Sequence, residues 1–525
     1  SSAASDVYKR QKYNRNESDI PNTYDYMGSS PYHEVYRAFP FIPVYLPDGN
    51  FAAVAGSNFN YNIAGIMAQA GRDITSSDDF WYTGAFNITP IKGLSIKGDY
   101  TGNKFFKQQK KHQNILYQSQ PDGTSIPQGS SNGVNNDKYN DTYQALNLWA
   151  EYKKTIKQHS FGVMAGYNQE SKKITALKTK VSGLYDNNTP VSDLATTLQS
   201  IGEDATVWAV QGMFFRLNYD YLGRYLLEVN GRYDGSSKFQ PENRWAFFWG
   251  VSAGWRLSEE AFMKNLNIFD DLKLRVSYGT VGNQGGIDRY DGIQLYNFNQ
   301  NKGALIGDEK ISYIDTNGKL LSMDREWETI QNYNIGLDFG LFGNRLKGTA
   351  ELFWKVCENM LIDVSYPATL GDKAPTANVG SFKANGFEGN LNWSDKIGKV
   401  GYSIGGTFTY TTNKLTDNGG SATITDGVRS DREGYPLNSV FGLKYVGKIQ
   451  NEEQLEKYLY RYTGNNTIDM PTNLRLGDNM YEDVNGDGKL TEEDYVFLGT
   501  DDPKISFSFN GGLEWNGFDL SLIHI

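Results

Sequence analysis

The 525-residue chain has a single cysteine, Cys357, only four histidines and only 15 prolines. One cysteine excludes an internal disulfide framework and any cysteine-built zinc cluster. His33, His112 and His159 show no metal-pair spacing, and no nucleophile elbow occurs, so the chain is expected not to be an enzyme. Lys and Arg number 51 against 61 Asp and Glu, a formal net charge of −10. An acidic balance without a basic run counts against nucleic acid as a partner. No stretch reaches the roughly 18 consecutive apolar residues of a membrane-spanning helix. That absence does not extend to spanning strands, whose lipid-facing and lumen-facing residues alternate and average to a polar hydropathy. No Pro/Ser-rich linker divides the chain, which reads as one unit.

What is present favours strands: 35 Tyr, 28 Phe, 10 Trp and 56 Gly, with little helix-period pattern. Along SFGVMAGYNQE, Phe161, Val163, Ala165 and Tyr167 share one face and Gly162, Met164, Gly166 and Asn168 the other. Tyr225, Leu227, Val229 and Gly231 oppose Leu226, Glu228, Asn230 and Arg232 in the same way. Tight turns are expected at Lys92-Gly93, Lys157-Gln158, Leu222-Gly223, residues 265–271, Gly343-Asn344, residues 395–398 and Asn516-Gly517. Long polar stretches, such as residues 169–206 and 290–324, lie between them and are expected to be loops. Short turns alternating with long loops are the rhythm of an outer-membrane barrel. The fold class is therefore all-β: a transmembrane antiparallel β-barrel, with about 14 strands from these hairpins. Tyr219, Tyr221, Tyr225, Trp354, Trp393, Trp515 and Phe518 are expected near the short turns, as an interfacial girdle. The alternative is a multi-sheet β protein whose aromatics form an ordinary core.

The two ends are read apart from the rest. One back-translation of residues 1–11 resembles a transposon-based sequencing adapter, and residues 520–525 can be written as the reverse complement of the codons for residues 6–11. Both segments are expected to be translated adapter and are set aside from fold reasoning. Residues 12–519 are expected to be a barrel fragment cut at both ends.

At RLNYDYLGRYLLEVNGRYDGSSKF, residues 216–239, the sequence resembles the SusC/RagA family of TonB-dependent outer-membrane transporters of Bacteroidota-type Gram-negative bacteria. Further blocks follow in the family's order: NRW…VSAGWRLSEEAF (243–262), DDLKLRVSYGTVGNQ (270–284), WETIQNYNIGLDFGLF (327–342), NVGSFKANGFEGNLNW (378–393), REGYPLNSVFGLKYVGKI (432–449) and YEDVNGDGKLTEEDYVFLGTDDPKISFSFN (481–510). The resemblance covers most of the chain from about residue 39 onward. It implies a large closed outer-membrane barrel, of which the about 14 strands are an incomplete part, holding a plug domain, an N-terminal segment contacting the TonB-ExbB-ExbD complex, and a SusD-like surface lipoprotein over the mouth. The plug is expected to be missing from this fragment. The implied activity is import of oligosaccharides or peptides across the lipid bilayer.

One motif carries metal-type chemistry. In DVNGDGKLTEED, Asp483, Asn485 and Asp487 stand at positions 1, 3 and 5 of a calcium loop, Gly488 at the sharp turn, Lys489 at the backbone-carbonyl position and Asp494 at position 12. Hard oxygens at alternating positions can wrap one cation, because the intervening residues point away. The expected cofactor is a structural calcium ion, with no organic cofactor. The alternative is a metal-free acidic turn, since Asn-Gly and Asp-Gly turn unaided. No amphipathic helices are expected to flank it. Strand parity places residues 411–502 outside the membrane as one loop.

Other features have structural readings. Residues 282–286, GNQGG, are expected to form a turn rather than a phosphate loop, because no helix follows. Trp327, Glu328 and residues 234–237 are expected to pin strand ends. Tyr290, Tyr296 and Tyr313 can stack on sugars, cap the rim or contact the lipoprotein; ligand-binding residues are otherwise not legible. Two alternatives to a transporter remain. One is a calcium-stabilised secreted scaffold or adhesion protein with a dockerin-like loop, against which a single loop copy counts. The other is a passive porin.

Overall fold

The computed structural model describes residues 4–28, 30–37, 43–53, 62–128, 132–290, 292–299, 302–316, 325–363, 369, 376–420, 423–426, 429–463 and 474–524. Fifteen strands form one antiparallel sheet in sequence order. The first six are β1 (Ala4–Pro21), β2 (Arg72–Ile91), β3 (Leu94–Gln113), β4 (Gly133–Ile156), β5 (His159–Leu184) and β6 (Ala195–Tyr221). Then come β7 (Tyr225–Ser236), β8 (Trp245–Arg256), β9 (Phe269–Asn283), β10 (Glu328–Leu341) and β11 (Leu346–Asp363). The last are β12 (Thr376–Ile397), β13 (Val400–Asn418), β14 (Ile505–Trp515) and β15 (Phe518–His524). No helix among the described residues is long and apolar enough to cross a membrane.

All seven expected short turns are present, each after an even-numbered strand. Asn516 and Gly517 both have positive φ, as do Leu222 and Gly223, the geometry that matches the twist of paired strands in a two-residue hairpin. The connection before β9 is the longest of the seven. It holds a 3-10 turn, Leu257–Glu259, and a short helix, Ala261–Lys264. Seven hairpins account for 14 strands, and the fifteenth is β1. It was not expected because residues 1–11 were set aside and residues 12–21 are polar. Its pairing with β2 is a backbone ladder, which forms whatever the side chains, so it does not bear on the adapter reading.

The stretch 169–206, expected to be loop, is mostly strand. β5 and β6 run for 26 and 27 residues, although roughly 9–11 suffice to cross a bilayer. Beyond the bilayer a strand can be polar on both faces, so composition does not mark its end. Likewise β13 continues to Asn418 and β14 begins at Ile505, so the expected loop 411–502 is 419–504.

The chain divides into two compact units, Ser1–Glu151 with Ala165–Met213, and Tyr152–Met164 with Phe214–Ile525. In the first, one face exposes Ile96, Tyr100, Phe106, Leu148, Leu177 and Met213. The opposite face carries a polar ladder: Lys97 with Glu151, Asn147 donating to Asp99, Asn168 to Asn147, Tyr143 to Glu170, and Lys172 with Asp141. The connection 22–71 packs Met27 and Ile66 on Leu116.

In the second unit, register stacks Val251 against Val229 and Tyr278, Val276 against Ile335, and Leu352 against Ile335 and Phe387. This continuous apolar face is bounded by two aromatic bands. Near the short turns, His159, Tyr221, Tyr225 and Trp255 follow one another at centroid spacings of 4.8, 6.2 and 6.4 Å. Further along the strands, Trp249, Tyr278 and Tyr333 are spaced 5.1 and 4.8 Å apart. Trp354 pairs in register with Tyr333, so it lies in the second band, not at a short turn as expected. It stands eight residues from the start of β11, about 26 Å along the strand at roughly 3.3 Å per residue. That is comparable with the apolar band of roughly 25 Å between the girdles of a membrane barrel.

The polar face of this unit is ion-paired. The Arg275 guanidinium lies 2.5 Å from Glu351 and 3.3 Å from Asp338, which Lys273 approaches at 3.9 Å. A Cβ at Gly336 would fall 2.5 Å from Arg275 Cζ, so this glycine makes room for the guanidinium.

Candidate functional site

The connection between β13 and β14 is a folded element in its own right. Ser439–Leu443 pairs with Tyr495–Thr500, and Tyr445–Lys448 with Asn479–Tyr481. Phe441 is buried beneath Tyr435 and Phe497, with ring centroids 5.0 and 5.9 Å away, and the Arg432 guanidinium lies 4.1 Å over its ring. Gly434 N donates to Leu415 O and Leu415 N to Tyr435 O. The miniature core is thus fastened to the end of β13. The sequence reading missed it, although Tyr435 and Phe441 both lie in a quoted family block.

A helix, Glu452–Thr463, precedes the acidic loop. It was not expected. Its Tyr458 hydroxyl receives a hydrogen bond from Tyr481 N at 2.8 Å and donates to Tyr481 O at 3.3 Å. The helix therefore steadies the strand that leads directly into Asp483.

Within the loop the expected ligand residues act as acceptors for their own backbone. Asp483 Oδ1 accepts from Gly486 N at 2.7 Å and Oδ2 from Gly488 N at 3.0 Å. Asn485 Oδ1 accepts from Asp487 N at 2.9 Å, and Asp487 Oδ1 from Lys489 N at 2.8 Å. Asp494 is fully buried. Its Oδ1 accepts from Val484 N at 2.9 Å and Asn485 N at 3.3 Å, and its Oδ2 from Thr491 N at 2.9 Å. One carboxylate thus ties the end of the loop to its beginning. Gly486 and Gly488 have φ of 77° and 81°, which the reversal requires and which side chains disfavour. The structure brings Asp483 and Asp494 to the inside of the ring through amides. Among the described residues, no three His, Cys, Asp or Glu side chains converge as a group able to hold a metal.

A second constellation lies at the far ends of β7 to β11. Trp327 is buried with Phe239, Phe248 and Ile287, and its Nε1 donates to Arg244 O at 3.0 Å. Glu328, also buried, accepts from Asn283 Nδ2 at 2.5 Å and from Leu361 N at 2.8 Å. Ser236 Oγ donates to Gln284 Oε1 at 2.6 Å, and Lys238 Nζ to Ile287 O at 2.7 Å. These residues pin strand ends and connections, the role the sequence suggested. Residues 284–287 form a turn, in which Asn283 Oδ1 accepts from Gly285 N, as expected of GNQGG.

Tyr296 and Tyr313 are exposed on a two-stranded hairpin, whereas Tyr290 is half-buried. His159 Nδ1 lies 2.8 Å from Tyr219 OH inside the lower aromatic band. His33 sits 3.0 Å from Glu34. His112, the penultimate residue of β3 and so beyond the bilayer, is buried, which pushes its imidazole below the ordinary range, with Lys110 adding to the shift. The three histidines occupy separate sites.

With this geometry in view, comparison with known proteins is informative. The family model described as TonB dependent receptor-like, beta-barrel matches residues 23–522. The chain belongs to that family. Members of the TonB-dependent receptor family are receptors and transporters, not enzymes. A TonB-dependent receptor of Formosa agariphila is 26% identical over 524 aligned positions, covering 93% of this chain and 49% of the relative. The TonB-dependent receptor SusC of Bacteroides thetaiotaomicron is 26% identical over 396 positions, covering 75% of this chain and 38% of its own length. The chain thus spans about half, or less, of the curated relatives it matches. A solved structure of the RagAB peptide transporter superposes with a TM-score of 0.73 at 21% identity, over 91% of this chain and 51% of that one. At that identity the likeness establishes the fold.

Proposed function

We propose that the complete protein is an energy-coupled importer of the bacterial outer membrane, taking up oligosaccharides or peptides too large for passive pores. Membership of the TonB-dependent receptor barrel family over residues 23–522 carries this reading. The similarity to SusC and to the RagAB fold supports a SusD-like lipoprotein as partner at the mouth. Substrate is captured between the long connections and that lipoprotein. It passes inward when the TonB-ExbB-ExbD complex, driven by the inner-membrane proton gradient, displaces a plug. Family membership favours this over a dockerin-type scaffold.

Uptake of a labelled oligosaccharide or peptide by cells is expected to fall to background when the gene is deleted and equally when a protonophore is added. Uptake that survives the protonophore would establish a passive porin instead.

The acidic loop is proposed as a structural calcium site. Carboxylate oxygens have more than one lone pair, so those of Asp483, Asp487 and Asp494 can each accept an amide and still approach a cation, with Asn485 and the Lys489 carbonyl completing an oxygen set. Extracellular modules bind calcium at roughly 0.1 to 1 mM. Calorimetric titration of the complete protein should give a binding heat in that range, lost in the Asp483→Ala, Asp487→Ala double variant. Silence at several times that concentration would leave the loop a metal-free turn.

A further inference from the structure

On the polar face of β3, β4 and β5, three lysines reach carboxylates: Lys97 meets Glu151 at 3.9 Å, Lys111 meets Asp73 at 3.7 Å and Lys172 meets Asp141 at 2.9 Å. Two others do not. Among the described residues, Lys107 and Lys178 lack an ion-pair partner, and both instead approach one aromatic ring. Their ammonium nitrogens lie 5.8 and 5.5 Å from the centroid of Tyr139, whose hydroxyl donates to Asp137 at 3.3 Å.

The ring stands on β4, between the strands that carry the two lysines. These three strands are neighbours in the sheet, and both lysine side chains reach the one ring from either side. Counted from the short turns, Lys107, Tyr139 and Lys178 are the 14th, 18th and 20th residues of their strands. All three therefore lie past the roughly 9–11 residues that cross a bilayer, on the face opposite Tyr100, Phe106 and Leu177. Tyr139 and Lys107 are half-buried and Lys178 is exposed; a cation over a ring is held more weakly than one in a charge-assisted pair. Both ammoniums are thus available to an incoming anion, and the chain around them carries a net charge of −10.

We infer that Lys107, Tyr139 and Lys178 form a subsite for an acidic sugar residue, in which the tyrosine supplies a planar platform and the lysines neutralise a carboxylate or sulfate substituent. The inference rests on the import reading and names its substrate class as acidic oligosaccharides. A planar ring between two cations suits a charged pyranose better than an acidic peptide, whose carboxylates hang on flexible chains.

Calorimetry on the complete transporter would compare a uronate oligosaccharide, a sulfated one, a neutral one of equal length and an acidic peptide. At least one acidic sugar should bind more tightly than the neutral one by about tenfold or more, and lose affinity as salt rises. The Lys107→Gln, Lys178→Gln double variant should abolish that preference, and the Lys107→Arg, Lys178→Arg variant should retain it while reporting that the strands are intact. Equal binding of neutral and acidic sugars, preference for the acidic peptide, or an unchanged glutamine variant would overturn the subsite and leave import standing. Absence of any carbohydrate binding, together with protonophore-resistant uptake, would overturn both.

Discussion

Replacing Asp494 by alanine should unravel the loop from Val484 to Thr491. The buried carboxylate accepts from three backbone amides, and alanine leaves all three without an acceptor inside a closed ring. A hydrogen bond to a charged group contributes about 1.5–3 kcal/mol, and such losses are not additive, so the local cost is on the order of 3–5 kcal/mol. Hydrogen exchange should show protection lost across residues 484–491, with the long sheet strands unaffected. Asp494→Asn keeps one acceptor oxygen and should retain much of that protection. Equal protection in the alanine variant would mean that Gly486, Gly488 and the Asx turns of Asp483 and Asn485 hold the loop unaided. Because Asp494 is also a proposed calcium ligand, the exchange is measured in chelator, where it reads the closure of the ring through amides alone.

The second large effect is expected at Trp327. Trp327→Ala removes a buried indole that packs at centroid distances of 4.8 and 5.7 Å from Phe239 and Phe248 and takes from Arg244 O one of its two donors, leaving Ser236 N. Truncation of a buried Trp costs about 3–5 kcal/mol. The loss should fall on the connections this residue joins, so limited proteolysis should cut within residues 284–327 far faster than in the parent. Trp327→Phe fills most of the cavity but lacks the N–H, and should sit between the two. An unchanged cleavage pattern for the alanine variant would show that Glu328, through Asn283 and Leu361, pins these strand ends alone.

How much of this was legible beforehand differs by element. Five of the seven short turns were read from dipeptides such as Leu222-Gly223 and Asn516-Gly517, because the backbone of a two-residue hairpin turn is set by those two residues. Alternation along β7 foretold its two faces for the same reason. Strand length was misread at residues 169–206, where polar composition signals water on both faces rather than an end of pairing. Trp354 was assigned to the wrong band because its distance from the turn is set by register and not by its neighbours in sequence. The helix Glu452–Thr463 was overlooked in a chain otherwise written in strand-forming residues, although Glu453 and Lys457 stand at i,i+4 and pair.

The acidic loop shows the division most clearly. Residue identities at 483, 485, 487, 489 and 494 announced a ring of oxygen donors, and the family blocks announced a TonB-dependent barrel. Both are local patterns, carried by turn chemistry and by period-two alternation. Tertiary packing decided the rest. It turned the donors of Asp483 and Asp494 onto the loop's own amides, set Tyr458 beneath Tyr481, and brought Lys107 and Lys178 to one ring. Those contacts join residues 23 to 39 positions apart, or lie in a closed loop whose side chains choose between amide and cation. Sequence spacing does not encode such choices, because they follow from strand register and from which polar groups burial leaves within reach.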